Sequence, residues 1–284
     1  MSRIVYVNGE YLPEEEATVS IFDRGFLMAD AVYEVCSILD GKILEFEGHV
    51  ARLHRSLNEL QMPAPCTDEE LLEIHRQLVA KNDLKEGGVY LQVTRGAADR
   101  DFAWSKDLKP TIVLFTQAKS IEHSPIGKTG IKVIAMDDLR WGRRDIKTVQ
   151  LLYPSLCKME AKARGKDDAW LVEDGFVTEG TSNNAWIVTR DGTIVTRDLS
   201  TDILHGITRA SVMKYAKEAQ MKVEERPFTI EEAQTAAEAF FTSASAFVTP
   251  VVEIEGVALG DGTPGPVAKR LREIYLAESR ARAI

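Results

Sequence analysis

Alternating apolar and polar positions near the start of the chain predict two β-hairpins. Residues 4–12 alternate around Asn8-Gly9, and residues 32–46 alternate around Asp40-Gly41. Both dipeptides adopt the positive φ angles that two-residue hairpin turns require. The segments 88–94 and 111–117 are predicted to be strands that close a sheet.

A helical spacing of apolar residues follows the second hairpin. Between residues 48 and 61 one stripe carries Val50, Leu53, Leu57 and Leu60, as expected for a helix that buries one face. A second helix is predicted to begin at Thr67-Asp68-Glu69-Glu70. The Thr hydroxyl and the Glu carboxylate of such a capping box satisfy amides that a helix start leaves unbonded.

A polar stretch from residue 118 to 130 indicates a connection between domains, because it contains Ser124-Pro125 and Gly127. We therefore predict an N-terminal domain over residues 1–119, a linker over 120–130 and a C-terminal domain over 131–284, the last carrying Lys147. Its predicted elements are a strand at 131–136, a helix from Pro154 to Ala163, hairpins around Asp174-Gly175 and Asp191-Gly192, a helix at 207–219, a second capping box at Thr229-Ile230-Glu231-Glu232 and a closing helix at 266–280.

The mixture of hairpins and helices, without alternating βαβ units, predicts an α+β fold and not a doubly wound parallel sheet. With 284 residues, of which 44% are hydrophobic and 28% charged, the chain is large enough for two cores. Its net charge of −9, from 35 basic and 44 acidic residues, offers no broad surface for nucleic acid or an anionic membrane. Any anionic ligand must be held by a local group of donors.

Cysteine and histidine usage excludes two further classes. Cys36, Cys66 and Cys157 are odd in number and widely separated, which argues against a disulfide framework. The five histidines show no HExxH and no metal-site spacing, so no metal is expected. The start of the chain lacks the apolar run of a signal peptide or membrane span, and the cytoplasm is the expected compartment.

Lys147 and Glu179 are the candidate catalytic residues. A lysine that attacks a carbonyl group works from a partly desolvated site, and a pyridine cofactor used as an electron sink needs a carboxylate beside its ring nitrogen. Taken alone, Lys147 would be interpreted as a surface lysine and Glu179 as a carboxylate in a hairpin turn. Arg140-Trp141-Gly142-Arg143-Arg144, before Lys147, is a basic cluster. At least one of its arginines is expected to orient active-site groups and at least one to be solvated.

Three segments offer donors for a phosphate. His205-Gly206-Ile207-Thr208 opens a helix, so its amides and the Thr208 hydroxyl can face an anion. Thr242-Ser243-Ala244-Ser245 is a small hydroxyl-bearing loop, and Arg52 on the first-domain helix offers a bidentate fork. The alternatives are an ordinary helix cap, a polar turn and a solvated arginine.

Ten short motifs spread over nearly the whole chain belong together. They are Val5-Asn8-Gly9, Asp23-Arg24-Gly25-Phe26, Val32-Tyr33-Glu34-Val35, His49-Val50-Ala51-Arg52-Leu53, Gln92-Val93-Thr94-Arg95-Gly96, Asp145-Ile146-Lys147, Lys158-Met159-Glu160-Ala161, Val177-Thr178-Glu179-Gly180, Gly206-Ile207-Thr208-Arg209 and Val248-Thr249-Pro250-Val251. In this order the motifs resemble the class IV aminotransferases, the pyridoxal-phosphate enzymes of fold type IV, and most closely the D-amino-acid transaminases.

The resemblance implies an activity and a set of roles. It implies a two-domain fold type IV enzyme, a homodimer with its active site at the subunit interface, that exchanges amino groups between amino acids and 2-oxo acids by a ping-pong mechanism. Lys147 would bind pyridoxal 5'-phosphate and move the substrate α-proton, and Glu179 would face the ring nitrogen. Thr181, Ser182 and Asn184 would fix the turn after Glu179. The implied phosphate contacts are Arg52, Ile207, Thr208, Ala244 and Ser245, and the implied substrate-carboxylate contacts are Tyr33 and Arg100.

The loop around Arg100 departs from the relatives that the chain resembles most. Those enzymes place a histidine two residues after the arginine, whereas this chain has Phe102. The carboxylate anchor is therefore one donor short; Phe102 would instead line a more apolar pocket, or Asp101 would pair with Arg100. Three activities stay open: a D-amino-acid transaminase, a transaminase for branched-chain L-amino acids or (R)-amines, and an aminodeoxychorismate-type lyase. An acidic binding module without catalysis leaves Lys147 and Glu179 unexplained.

Overall fold

The computed structural model describes residues 2–284, which form two compact units. The first unit comprises residues up to 120 together with 146–150 and 282–284, and the second comprises 121–145 and 151–281. The segment that carries Lys147 therefore belongs to the first unit, whereas the sequence placed it in the second domain. Most of the predicted linker, from residue 121 onward, belongs to the second unit and includes a short helix.

The first unit contains one six-stranded antiparallel sheet covered by two long helices. Its strands lie in the order β2-β1-β6-β5-β3-β4. The elements are β1 (Ile4–Val7), β2 (Glu10–Pro13), α1 (Arg24–Met28), β3 (Ala31–Leu39), β4 (Lys42–Ile43), α2 (Phe46–Glu59), α3 (Asp68–Lys81), β5 (Gly87–Thr94) and β6 (Thr111–Ala118).

Both predicted hairpins of this unit are confirmed. The turn residues Asn8 and Gly9 have φ angles of 48° and 106°, and Asp40 and Gly41 have 53° and 74°. The capping box at the start of α3 is also confirmed, because the Thr67 side chain accepts from the Glu70 amide while the Glu70 carboxylate accepts from the Thr67 amide. The predicted stripe on α2 packs into the core between the helices and the sheet.

The second unit is built on a nine-stranded mixed sheet. Eight of its strands lie in the order β12-β11-β10-β13-β14-β7-β8-β9, and β15 pairs with β14. The elements are α4 (Pro125–Thr129), β7 (Ile131–Asp137), α5 (Leu152–Ala163), β8 (Asp168–Glu173), β9 (Phe176–Gly180), β10 (Asn184–Val188), β11 (Ile194–Thr196), α6 (Ile207–Glu218), β12 (Val223–Glu225), α7 (Ile230–Thr235), β13 (Glu238–Ser243), β14 (Phe247–Ile254), β15 (Val257–Ala258) and α8 (Pro266–Ala281).

Two local features of this unit differ from the sequence prediction. The strand pairs β7–β8 and β11–β12 are parallel, and α5 and α6 connect them, so two βαβ crossovers occur within the mixed sheet. At α7 the Thr229 side chain accepts from the Glu232 amide, but the Glu232 carboxylate accepts from Arg226 at 2.6 and 3.1 Å. A charged donor binds a carboxylate more strongly than a backbone amide does. Within residues 2–284, no helix is long and apolar enough to cross a membrane.

Candidate active site

The Lys147 segment runs beside β3. The Tyr33 amide donates to the Lys147 carbonyl at 3.0 Å, and Thr148 forms an antiparallel bridge with Val32. The Lys147 amide donates to the Ser56 hydroxyl of α2 at 3.2 Å. Backbone bonds on both sides therefore fix the position from which the lysine side chain extends.

The Lys147 amine lies over an aromatic ring. Its Nζ is 4.1 Å from the centroid of Tyr33, one of the two residues implied to bind the substrate carboxylate. Tyr33 stacks on Tyr90 at 5.6 Å, and Tyr90 stacks on Phe115 at 4.8 Å. A ring face attracts a cation, and the stacked row keeps the Tyr33 ring in place beneath the half-buried amine.

A buried ion pair lies on the other face of β3, since successive side chains of a strand alternate. Arg52 donates from Nε and Nη2 to the two carboxylate oxygens of Glu34 at 2.8 and 2.7 Å, and His49 Nδ1 lies 2.7 Å from the same carboxylate. Burial alone would raise the pKa of Glu34, but Arg52 and His49 lower it to about 2. Arg52 is thus held in a fixed orientation and is not the solvated arginine of the alternative interpretation.

Neither Glu34 nor His49 is among the site residues predicted from the sequence. A signal was present, because Glu34 is a charged residue between apolar neighbours in a predicted strand. Such a carboxylate is stable only with buried partners, and α2 supplies both.

Arg100 lies in the loop between β5 and β6 and is exposed. Its guanidinium carbon is 5.6 Å from the ring centroid of Phe102, which is itself 79% exposed. The Asp101 carboxylate accepts from the Ala103 amide at 3.1 Å. Within the described residues the structure joins Tyr33 to Lys147 and Arg100 to Phe102, and gives no contact between Arg100 and Tyr33.

Glu179, at the end of β9, is buried and hydrogen-bonded on both oxygens. Oε1 accepts from Arg140 Nη1 at 2.6 Å, and Oε2 accepts from the Asn184 side chain at 3.0 Å and the Leu204 amide at 3.1 Å. Burial raises the pKa of Glu179, against the opposing effect of Arg140. A buried carboxylate held in this way is stabilised further by any cationic partner.

The arginines of the basic cluster before Lys147 pair with different carboxylates. Arg140 joins Glu179 to Asp138, to which it donates from Nε at 2.9 Å and from Nη2 at 2.7 Å. Arg144 binds Glu173 through Nη1 and Nη2 at 2.7 and 2.8 Å. The Arg140 contact identifies which arginine orients a predicted site residue. The half-exposed Arg143 side chain pairs with Asp145 at 3.0 Å. All three arginines of the cluster therefore pair with carboxylates, whereas at least one was expected to be solvated.

Asn184 connects Glu179 with the start of α6. Its side-chain nitrogen donates to Glu179 and also to the Leu204 carbonyl at 2.9 Å. A Cβ at Gly206, the N-cap of α6, would lie 2.1 Å from the Asn184 side-chain oxygen, so only glycine fits there. The first turn of α6 has no side-chain cap and no acidic residue. Its amides therefore keep the positive end of the helix dipole.

The turn between β13 and β14 lies beside the same asparagine. Asn184 pairs with Thr242 in the β10–β13 ladder, and Thr242 also accepts from the Trp186 indole at 3.0 Å. Ala244 and Ser245 follow in this turn and are half-buried and exposed, respectively. Asn184 thus links the Glu179 carboxylate, the α6 start with Ile207 and Thr208, and the turn with Ala244 and Ser245.

The hydroxyl and amide residues around Glu179 stabilise its turn. Thr178 Oγ1 donates to Asp138 at 2.7 Å, and Thr181 Oγ1 donates to Asp168 at 2.5 Å. The Asn183 side chain donates to Asp168 at 2.8 Å. Of the residues predicted to fix the turn, Thr181 and Asn184 are buried and bonded, whereas Ser182 is exposed.

Comparison with known proteins identifies the family of the chain. Residues 31–254 match the family described as amino-transferase class IV, and the chain belongs to that family. It is 38% identical over 271 residues to a D-alanine aminotransferase of Bacillus licheniformis, a match that covers 94% of both chains.

Solved structures share the fold. A branched-chain amino acid aminotransferase of Escherichia coli has a TM-score of 0.91 at 23% identity, covering 98% of this chain and 95% of that one. A T.th. branched-chain amino acid aminotransferase with pyridoxamine 5'-phosphate has a TM-score of 0.86 at 29% identity, covering 99% and 95%. The predicted fold type IV class with mixed helices and sheets is confirmed.

Proposed function

We propose that the protein is a pyridoxal-phosphate transaminase that moves an amino group between D-amino acids, of the D-alanine and D-glutamate type, and 2-oxo acids by a ping-pong mechanism. The observation that carries the chemistry is the buried Glu179 carboxylate with its three donors. The similarity to a D-alanine aminotransferase over 94% of the chain supports the substrate class.

The donor groups suit this cofactor. The uncapped start of α6 offers the Ile207 and Thr208 amides and the Thr208 hydroxyl to a phosphate, and the small residues Ala244 and Ser245 leave room for close backbone approach. We assign Arg52 to the same phosphate and Glu179 to the ring nitrogen. Lys147 would hold the cofactor covalently.

Each residue has one task in the proposed reaction. The bound cofactor supplies an electron sink for the pair that the substrate Cα–H bond releases. Glu179 keeps the ring nitrogen protonated through a charge-assisted hydrogen bond. The Lys147 amine takes the proton from Cα and would deliver it to the cofactor carbon that receives the amino group, and the backbone bonds to Tyr33 and Ser56 fix the side from which it acts.

We assign the substrate carboxylate to Tyr33 and Arg100. Since Phe102 occupies the position of a second cationic donor, we expect D-amino acids to bind with modest affinity. One charge-assisted hydrogen bond is worth roughly 1.5–3 kcal/mol, or about one to two powers of ten in binding.

A branched-chain L-amino-acid transaminase is the second candidate. The exposed Phe102 ring and the similarity to a branched-chain enzyme at 29% identity and a TM-score of 0.86 favour it. The two candidates require opposite enantiomers to present their α-hydrogen to Lys147, so one assay separates them.

A homodimer is the proposed assembly, and the cytoplasm is the proposed compartment. The three cysteines are free, and Cys36 and Cys157 are buried, which suits a reducing compartment. Light scattering on the purified protein tests the assembly. A fully active monomer in dilute solution would contradict it.

The decisive assay mixes the purified enzyme and pyridoxal phosphate with 2-oxoglutarate and either D-alanine or L-leucine. We expect release of pyruvate from D-alanine and little conversion of L-leucine. A clear preference for L-leucine would assign the branched-chain activity instead. In a separate reaction, release of pyruvate from aminodeoxychorismate without a keto-acid acceptor would indicate the lyase.

A further inference from the structure

The loop that carries Arg100 rests on a buried group of charges. Asp30 accepts from Arg24 Nε at 2.8 Å and from Arg95 Nε and Nη2 at 2.7 and 3.0 Å. Both arginine side chains are only 5% exposed. Two guanidinium groups thus share one carboxylate, and their remaining donors turn to backbone carbonyls.

The carbonyls that Arg24 meets belong to the loop on the C-terminal side of Arg100. Arg24 Nη1 donates to the Asp101 carbonyl at 2.6 Å, and Nη2 lies 3.5 Å from the Phe102 carbonyl. On the other side of Arg100, the Ala98 amide donates to the Phe22 carbonyl at 3.2 Å. The backbone is therefore bonded to the body of the unit on both sides of Arg100, while the Arg100 side chain is exposed.

Trp104 covers the same charges. Its ring centroid is 4.0 Å from the guanidinium carbon of Arg95 and 5.7 Å from that of Arg24. A cation over an indole face is among the stronger contacts of this kind, particularly where water is excluded. The ring thus fixes the far end of the loop to the buried charges.

The buried charges are also bonded to α2, the helix that supports Lys147. Arg95 Nη2 donates to the Leu60 carbonyl at the end of α2 at 2.8 Å, and Ser56 of α2 accepts from the Lys147 amide. Burying two guanidinium groups is costly unless they are paired and bonded. A solvated surface turn does not need such an arrangement.

We propose that Arg24, Arg95 and Trp104, assembled on Asp30, are positioning residues that hold the loop of residues 97–104 so that Arg100 meets the substrate carboxylate from a fixed place. The assignment rests on the proposed function, because the role of Arg100 belongs to it. None of the three touches the reacting atoms. They set the KM for carboxylate-bearing substrates and leave the proton-transfer step unchanged.

The test compares Trp104→Ala and Arg24→Lys with the unmutated enzyme. Trp104 is 46% exposed, so its replacement leaves the core intact. Arg24→Lys keeps a charge beside Asp30 but lacks the fork that reaches the loop carbonyls. Hydrogen exchange of amides 97–104 reports the anchoring, and D-alanine kinetics with saturating pyridoxal phosphate report its consequence. Phe26→Ala, which removes an aromatic ring that is 72% exposed on α1, is the matched control.

We expect exchange in the loop to rise in both variants, KM for D-alanine to rise about three- to tenfold as part of the Arg100 contact is lost, and kcat to stay within about twofold. Phe26→Ala should change none of these quantities. Unchanged loop exchange, or faster exchange with an unchanged KM, would overturn the inference. Failure of the proposed function is distinct, because it would appear as absent D-alanine turnover in the unmutated enzyme.

Discussion

Arg140 Nη1 lies 2.6 Å from Glu179 Oε1, and the same guanidinium is shared with Asp138. Two carboxylates with one arginine carry a net charge of −1 when both are ionised. Arg144 lies 3.6 Å from Asp138 and also pairs with Glu173, so counting both of these residues leaves the net charge at −1. A buried group with excess negative charge favours a cation beside it, which is the property that a protonated ring nitrogen requires.

Replacing Glu179 by Gln tests this role. We expect the variant to retain pyridoxal phosphate but to remove the substrate α-proton roughly ten- to a hundredfold more slowly, as one charge-assisted bond is lost. Exchange of α-deuterium from labelled D-alanine measures the step. Glu218→Gln, at an exposed glutamate on α6 that pairs with Lys214, is the control and should behave like the unmutated enzyme. An unchanged exchange rate in Glu179→Gln would contradict the proposed role of Glu179 at the ring nitrogen.

The proposed phosphate donors are expected to affect cofactor retention more than chemistry. Thr208→Val removes a hydroxyl at the start of α6, and Arg52→Lys removes the guanidinium fork while keeping a charge beside the buried Glu34 carboxylate. The Kd of pyridoxal phosphate should rise about tenfold or more for each. Fluorescence titration measures the Kd. Thr235→Val at the exposed end of α7 serves as the control. Normal cofactor affinity with reduced turnover would contradict the assignment.

Arg100→Ala is expected to raise KM for D-alanine by about one to two powers of ten. Transfer from an (R)-amine that lacks a carboxylate should be affected much less, because the lost partner is the carboxylate. Steady-state kinetics with both donors measure the difference. Equal losses on the two donors would mean that Arg100 serves the fold of its loop.

The Glu34 pair predicts a change of stability with pH. The pKa of Glu34 falls from 4.5 to about 2 on folding. The free energy by which ionised Glu34 stabilises the folded state is therefore fully present above pH 4.5 and is lost as the pH falls through about 2. The contribution is about 3 kcal/mol at neutral pH. Urea unfolding at pH 5.5, 4 and 3 should show a shallower loss of unfolding free energy in Glu34→Gln than in the unmutated protein. Parallel pH curves would show that Glu34 is not the group responsible.

Local signals predicted much of the fold. The Asn8-Gly9 turn and the Thr67–Glu70 capping box depend on neighbouring residues, so their sequence is sufficient to predict them. Lys147 was placed in the wrong unit because its segment is held by Val32, Tyr33 and Ser56, which lie about a hundred residues away and leave no local pattern.

The identity of a site residue could be predicted where its own residue type and sequence position indicate its role. It could not be predicted which distant side chain pairs with it. A carboxylate at 179 and a helix start at 207 follow from motif and spacing. Which arginine meets Glu179 depends on the bend after β7, where Asp138 fixes Arg140. Similarly, the buried pairing of Glu34 with Arg52 needs the register of α2 over β3.

The central claim is that Lys147 binds pyridoxal phosphate and performs the proton transfer, and reduction with borohydride tests it most directly. The loaded protein should be yellow, and after reduction peptide mass spectrometry should find a pyridoxyl group on Lys147. Lys147→Ala should lose both the adduct and transamination, while Lys162→Ala, an exposed lysine of α5, should keep both. A colourless protein without a reducible adduct, or an adduct on another lysine, would contradict the account.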